Sequence, residues 1–131
     1  MENCAHYSPT LGHEIKYDGY RLQAVKSGSR VQLFTRAGHN WTEKLPTIRT
    51  AVARLPRAQL ALDGEIVVLD ENGNTDFAGL QNDLRTGGKR VTYIVFDCLQ
   101  IGRRSLKARS WAVRNGELRA LLANVGPRNQ I

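Results

Sequence analysis

The run Val91-Thr92-Tyr93-Ile94-Val95-Phe96-Asp97-Cys98-Leu99 constrains this chain most, because apolar residues occupy both of its alternating faces. Successive side chains of a strand point to opposite sides of a sheet. A run apolar on both sides must be covered on both, which predicts a strand lying centrally in its sheet. Asp97 is the anomaly in it, since a carboxylate in so apolar a strand is costly to bury unless paired.

Shorter runs punctuated by turn residues supply the neighbours. Residues 13–18 and 20–26 read as strands separated by Gly19, and Ser27-Gly28-Ser29-Arg30 turns the chain into a third strand at 31–35, giving an antiparallel meander. Gln59 to Leu69 is the next strand, with Asp63, Glu65 and Val67 on one face and Leu62, Ile66 and Val68 toward the core. Gly64, between the two acids, leaves room for a ligand or another backbone to come close. Asp70-Glu71-Asn72-Gly73-Asn74 is a turn.

Three helices fill the gaps. One runs from Trp41-Thr42 to about Leu55, capped by Thr42 and tolerating Pro46 in its first turn, with Leu45, Ile48, Val52 and Leu55 as a core stripe. Thr75 caps a short second helix in which Phe77, Leu80 and Leu84 fall at i, i+3 and i+7. Ser110 caps a last one, weakened by Gly116 and stopped by Gly126-Pro127, whose apolar face is Trp111, Leu118, Leu121, Leu122 and Val125. Arg85 to Arg90 and Gly102 to Arg109 are basic loops. The fold class is therefore α+β, an antiparallel sheet with packed helices. Residues 1–12 read as irregular lead-in, 13–125 as one domain and 126–131 as a tail.

A chain of 131 residues is one domain's worth. Cys4 and Cys98 have neither a shared motif nor metal spacing, so a reduced, cytoplasmic setting is expected. The first residues lack the basic and apolar regions of a signal peptide, and no apolar run approaches the ~20 residues of a membrane span. The net charge of +7 favours polyanionic partners. His6, His13 and His39 have no ligand spacing.

The densest chemistry lies in His13-Glu14-Ile15-Lys16-Tyr17-Asp18-Gly19-Tyr20-Arg21. On a strand, Glu14, Lys16 and Asp18 share one face, which in isolation reads as a solvated ion pair. Lys-x-Asp-Gly followed by x-Arg also resembles the nucleotidyl-transfer motif of ATP-dependent DNA ligases, RNA ligases and mRNA capping enzymes. Thr35-Arg36-Ala37-Gly38 resembles that superfamily's short arginine motif. Leu62-Asp63-Gly64-Glu65-Ile66-Val67-Val68 resembles its Asp-Gly-Glu strand, and Tyr93 to Leu99 its aromatic-Asp strand. The wording Thr75-Asp76-Phe77-Ala78-Gly79-Leu80-Gln81-Asn82 is closest to the ligase domain of bacterial end-joining ligases. The resemblance runs from about Glu14 to about Leu122.

The resemblance implies an adenylation fold and a lysine that attacks the α-phosphate of ATP, making Lys16 the nucleophile. A free lysine has a pKa near ~10.4. Glu14 and Asp18 would raise it, whereas Mg2+ and arginines would lower it. The carboxylates therefore suit metal, ribose or base contacts. By resemblance, Glu14 and Ile15 lie near the adenine and Phe96 stacks on it. Arg21 and Arg36 contact ribose, nucleotide phosphates or DNA phosphate, a task suited to a guanidinium fork. Glu65 binds ribose or metal, and Asp18 is a second metal candidate. On the predicted first helix, Lys44 and Arg49 are candidates for the DNA backbone.

The superfamily's later Glu-Gly motif, Lys-x-Lys strand and OB-fold domain have no counterpart here. The expectation is the first part of an adenylation domain, acting on nicked or broken double-stranded DNA, weak or inactive alone, and completed by a second chain or by the rest of a longer one. Two other readings remain: a non-catalytic nucleic-acid-binding module, and a fragment of RNA ligase or capping type.

Overall fold

The computed structural model describes residues 17–123. Its elements are β1 (Tyr20–Ser27), β2 (Arg30–Thr35), a 3-10 turn at Thr42–Lys44, α1 (Pro46–Ala53), β3 (Gln59–Val67), α2 (Phe77–Arg85), β4 (Thr92–Ile101), β5 (Arg104–Ser105) and α3 (Trp111–Leu122). All ladders are antiparallel, in the order β2-β1-β3-β4-β5. The expected α+β class holds.

Hydrophobic alternation sets which face is the core. In β1, Leu22 and Ala24 are fully buried while Arg21 and Gln23 are exposed. Leu33, Leu62, Ile66 and Tyr93 continue the buried layer, closed by Ile48 and Val52 of α1, Leu80 of α2, and Leu118 and Leu121 of α3. The Tyr93 hydroxyl donates to the Leu22 carbonyl at 2.8 Å, which satisfies a fully buried polar group and ties β4 across β3 to β1. Val67 and Ile94 are also fully buried, although register places both on the face of Glu65.

Several expectations are corrected. β3, not β4, is the central strand, and β4 is covered on its outer edge only by β5, a two-residue strand within the segment expected to be a plain connection. Of the expected first strand at 13–18, residues 13–16 lie outside the described residues, and Tyr17 to Gly19 form no ladder. There the Asp18 amide donates to Thr75 Oγ1 at 3.1 Å instead of to a strand. A Cβ on Gly19 would lie 2.0 Å from the Ile66 carbonyl oxygen, so the chain passes closer to β3 than any side chain permits.

The first helix starts at Pro46 rather than Thr42. Proline disfavours helical geometry in the residue before it, and Leu45 accordingly has φ −127° and ψ 61°. Thr42 is a brace instead of a cap: its hydroxyl accepts from the Leu33 amide at 2.9 Å. Asp76, not Thr75, caps α2, accepting from the Gly79 amide at 2.9 Å. Ser110 caps α3 as expected, by accepting from the Val113 amide. Trp111 is substantially exposed, so the buried part of α3 is its later half, and Val125 lies outside the described residues. No helix among the described residues is long and apolar enough to cross a membrane.

Candidate functional site

The register of the sheet gathers the chemistry. Residues facing each other across antiparallel strands share a side of the sheet. Arg21 faces Glu65, and Gln23 faces Asp63 on one side and Phe34 on the other. A pleated polar surface thus forms opposite the core.

On β4 the pairing slips: Gly64 faces Val95 and Asp63 faces Asp97, leaving Phe96 as the extra residue of a bulge. Bulges re-aim side chains and are common beside functional sites. Here the Phe96 ring comes under Arg21, whose guanidinium carbon is 5.0 Å from the ring centroid, within cation–π range. Gly64 permits this closeness of strands. A Cβ there would stand 2.3 Å from the Ile94 carbonyl oxygen, so the backbone of β4, not a ligand, fills the space beside it.

Arg21 is also gripped by Asp63. Its Nε donates to Oδ1 at 2.8 Å and one terminal nitrogen to Oδ2 at 2.5 Å, a fork-to-carboxylate pair. Asp63 is nearly buried while the arginine is about half exposed, so the cation is held at the surface from below. This bond, followed by nearby carboxylate charge, raises the proton affinity of Arg21.

Glu65 sits beside this pair. Burial raises its pKa, Arg21 and a hydrogen bond from the Gly19 backbone oppose the rise, and the charges of Asp18 and Asp63 add to it. Tyr17 is drawn into the same cluster, its phenol pushed up to about 12 by burial and then by the charge of Glu65. Asp18, Asp63 and Glu65 thus share a field with more negative than positive charge in close reach. Among the described residues no group of three or more His, Cys, Asp or Glu is arranged to enclose a metal.

An open cleft of about 550 Å3 adjoins the cluster, lined by Arg21, Gln23, Phe34, Thr35, Arg36 and Gly38. Arg36 reaches it because the chain turns sharply after β2. The Gly38 amide donates to the Thr35 carbonyl at 2.8 Å, with Gly38 at φ 89°. That positive φ is what glycine supplies.

The structure therefore brings together Arg21, Arg36, Glu65 and Phe96, with Asp18 near Glu65. Lys44 and Arg49 fall outside the cleft: the Lys44 ammonium lies 5.2 Å from the Trp41 ring centroid, and Arg49 pairs with Glu43 at 3.1 Å. Glu14, Ile15 and Lys16 lie outside the described residues; Tyr17, next in sequence to Lys16, is part of the Glu65 cluster. Asp97 has the partner its burial demands, accepting from Arg114 Nε at 2.8 Å, which makes it an anchor for α3.

Sequence reasoning missed the role of Asp63 as the holder of Arg21 and the entry of Gln23 and Phe34 into the cleft. The alternation of β1 could have placed Gln23 beside Arg21. The signal for Asp63 was its companion position in the Asp-Gly-Glu run.

The family described as ATP dependent DNA ligase domain matches residues 2–131. The multifunctional non-homologous end joining protein LigD of Pseudomonas aeruginosa is 42% identical over 111 residues, covering 84% of this chain and 13% of that protein. DNA ligase C2 of Mycolicibacterium smegmatis is 31% identical over 129 residues, covering 91% of this chain and 36% of that protein. The solved ligase domain of Mycobacterium tuberculosis LigD superposes with a TM-score of 0.73 at 34% identity, covering 82% of this chain and 35% of that one. A mycobacterial DNA ligase D complexed with ATP and MES gives a TM-score of 0.69 at 30% identity. The chain thus spans about one-eighth of that LigD relative and about a third of these ligase-domain structures.

Proposed function

Because the chain belongs to the ATP-dependent DNA ligase domain family, we propose that residues 13–125 are the nucleotide-binding part of an adenylation domain, with Lys16 as its nucleophile. The observation that carries the reading is Arg21, which Asp63 holds over Phe96 beside Glu65, with Arg36 in the same cleft.

The chemistry assigned to these residues is nucleotidyl transfer. The neutral amine of Lys16 attacks the α-phosphorus of ATP. A P–N bond forms, the P–O bond to the β-phosphate breaks, pyrophosphate leaves and the amine loses a proton. Phe96 offers a face for the adenine, with Glu14 and Ile15 at its edge, and Glu65 offers acceptors to the ribose. Arg21 and Arg36 supply fixed positive charge where negative charge gathers on the phosphates. Holding Arg21 in advance by Asp63 limits the reorganisation needed at that moment.

Asp18 and Glu65 are the carboxylates we assign to Mg2+. Burial first, and the charges of Asp18 and Asp63 after it, disfavour the ionised form of Glu65, and a divalent cation would favour that form. When bound, the metal supplies charge that favours the neutral lysine and screens the phosphates. Double-stranded DNA carrying a nick or break is the substrate we assign, in the bacterial cytoplasm. Completion by further chain, or by a second chain, accords with the share of the ligase relatives that this chain spans.

Nucleotide binding tests this reading against its capping-type competitor. Calorimetric titration should show ATP binding with Mg2+, weakened about tenfold or more by Phe96→Ala, a loss of roughly 1.4 kcal/mol. Equal or tighter binding of GTP, or indifference to Phe96→Ala, would overturn the assignment.

A further inference from the structure

The sheet has a second charged end, opposite the cleft. β1 and β3 finish their shared ladder at Ser27 and Gln59, and β4 turns back through Gly102 into β5. The turn and the connection are stitched together there, the Gly28 amide donating to the Ala58 carbonyl at 2.7 Å and the Gly102 amide to the Gln59 carbonyl at 2.8 Å.

Four exposed arginines project from this end: Arg30 at the start of β2, Arg54 and Arg57 in the connection from α1 to β3, and Arg103 in the turn from β4 to β5. Among the described residues none of the four side chains has an acidic partner. The carboxylates of the neighbouring elements are already engaged, Glu117 by Arg104 and Asp97 by Arg114. Beneath the patch Lys26 is buried, its ammonium donating to the Leu55 carbonyl at 2.6 Å, which anchors the end of α1 between Arg54 and Arg57.

We propose that this end of the sheet is a second phosphate-binding face that takes the backbone of a double-stranded nucleic acid. Its arginines come from separate connections anchored on one ladder, so the charge is spread across this end of the sheet. From β2 to β4 there are three strand spacings, about 14 Å. A duplex carries one charge per ~1.7 Å of axis, hence about eight phosphate charges over that length. The patch consists of arginine, whose planar fork pairs with phosphate oxygens. It lies away from Arg21 and Arg36, so it gives a grip on duplex that does not need a nick or a nucleotide.

The probe is an unbroken, fluorescently labelled duplex, titrated at several salt concentrations with the whole chain. Replacing all four arginines by alanine should make the plot of log affinity against log salt shallower by about three to four, at about 0.9 per lost phosphate contact, and weaken binding at least about tenfold at 0.1 M salt. Replacing them by lysine keeps the charge and should retain most of the slope, which controls for folding. An unchanged slope in the alanine variant would overturn the proposal. So would loss of duplex binding from Arg36→Ala alone, or displacement of the duplex by poly-glutamate at equal charge. The readout does not involve AMP transfer, so it fails or succeeds separately from the reading of the cleft.

Discussion

Asp63 on β3 holds Arg21 on β1 through both carboxylate oxygens, at 2.8 and 2.5 Å, and so fixes the guanidinium over the Phe96 ring. One nearly buried acid thereby positions the cation of a site whose other members come from β4 and from the turn after β2.

Asp63→Asn keeps the shape and removes the charge. With Arg21 about half exposed, the loss falls below that of a fully buried pair, about 1–3 kcal/mol. Urea unfolding should report that destabilisation, and ATP affinity should fall with it because Arg21 is no longer fixed. A variant as stable and as tight as wild type would show that the pair positions nothing.

Glu65 gives a pH signature. Its folded pKa is raised, so its ionised form is disfavoured in the fold and stability falls as pH rises from about 4.3, the unfolded value, through the folded one. Glu65→Gln removes that loss. Thermal melting should show the variant more stable than wild type near pH 7, with the gap closing toward pH 4, while nucleotide binding weakens. A gap independent of pH would mean that Glu65 is not the group responsible.

Gly64→Ala tests the closeness of β3 and β4. The new methyl would meet the Ile94 carbonyl at 2.3 Å and the Tyr93 ring at 2.8 Å, and backbone on one side cannot swing away. Overpacking of this kind destabilises by about 1–3 kcal/mol. The added strain falls beside Phe96, so ATP affinity should drop as well. A neutral effect on denaturant unfolding would contradict the steric account.

Much of this was legible in the chain. The alternation of β1 set which of its residues face the core, and in β3 it placed Leu62 and Ile66 there but missed that Asp63 and Val67 of the other face are buried too; the stripe Leu45, Ile48, Val52 and Leu55 is buried as its spacing requires. What was not legible depends on contacts distant in sequence. Thr42 caps nothing because the Leu33 amide claims its hydroxyl, and Thr75 is drawn to the Asp18 amide. The bulge at Phe96 arises from the pairing of two strands, so neither strand alone reveals it. Lys44 and Arg49 share a region of the sequence with Arg36, but Trp41 and Glu43 hold them away from the cleft.

The central claim is that Lys16 is the nucleophile. The most direct measurement is the intact mass of the chain after incubation with ATP and Mg2+, beside Lys16→Ala. The wild type should gain a sub-stoichiometric, acid-labile increase of one AMP, and the variant none. An adduct that forms equally on Lys16→Ala, or one mapped by peptide mass to a residue other than Lys16, would contradict the claim.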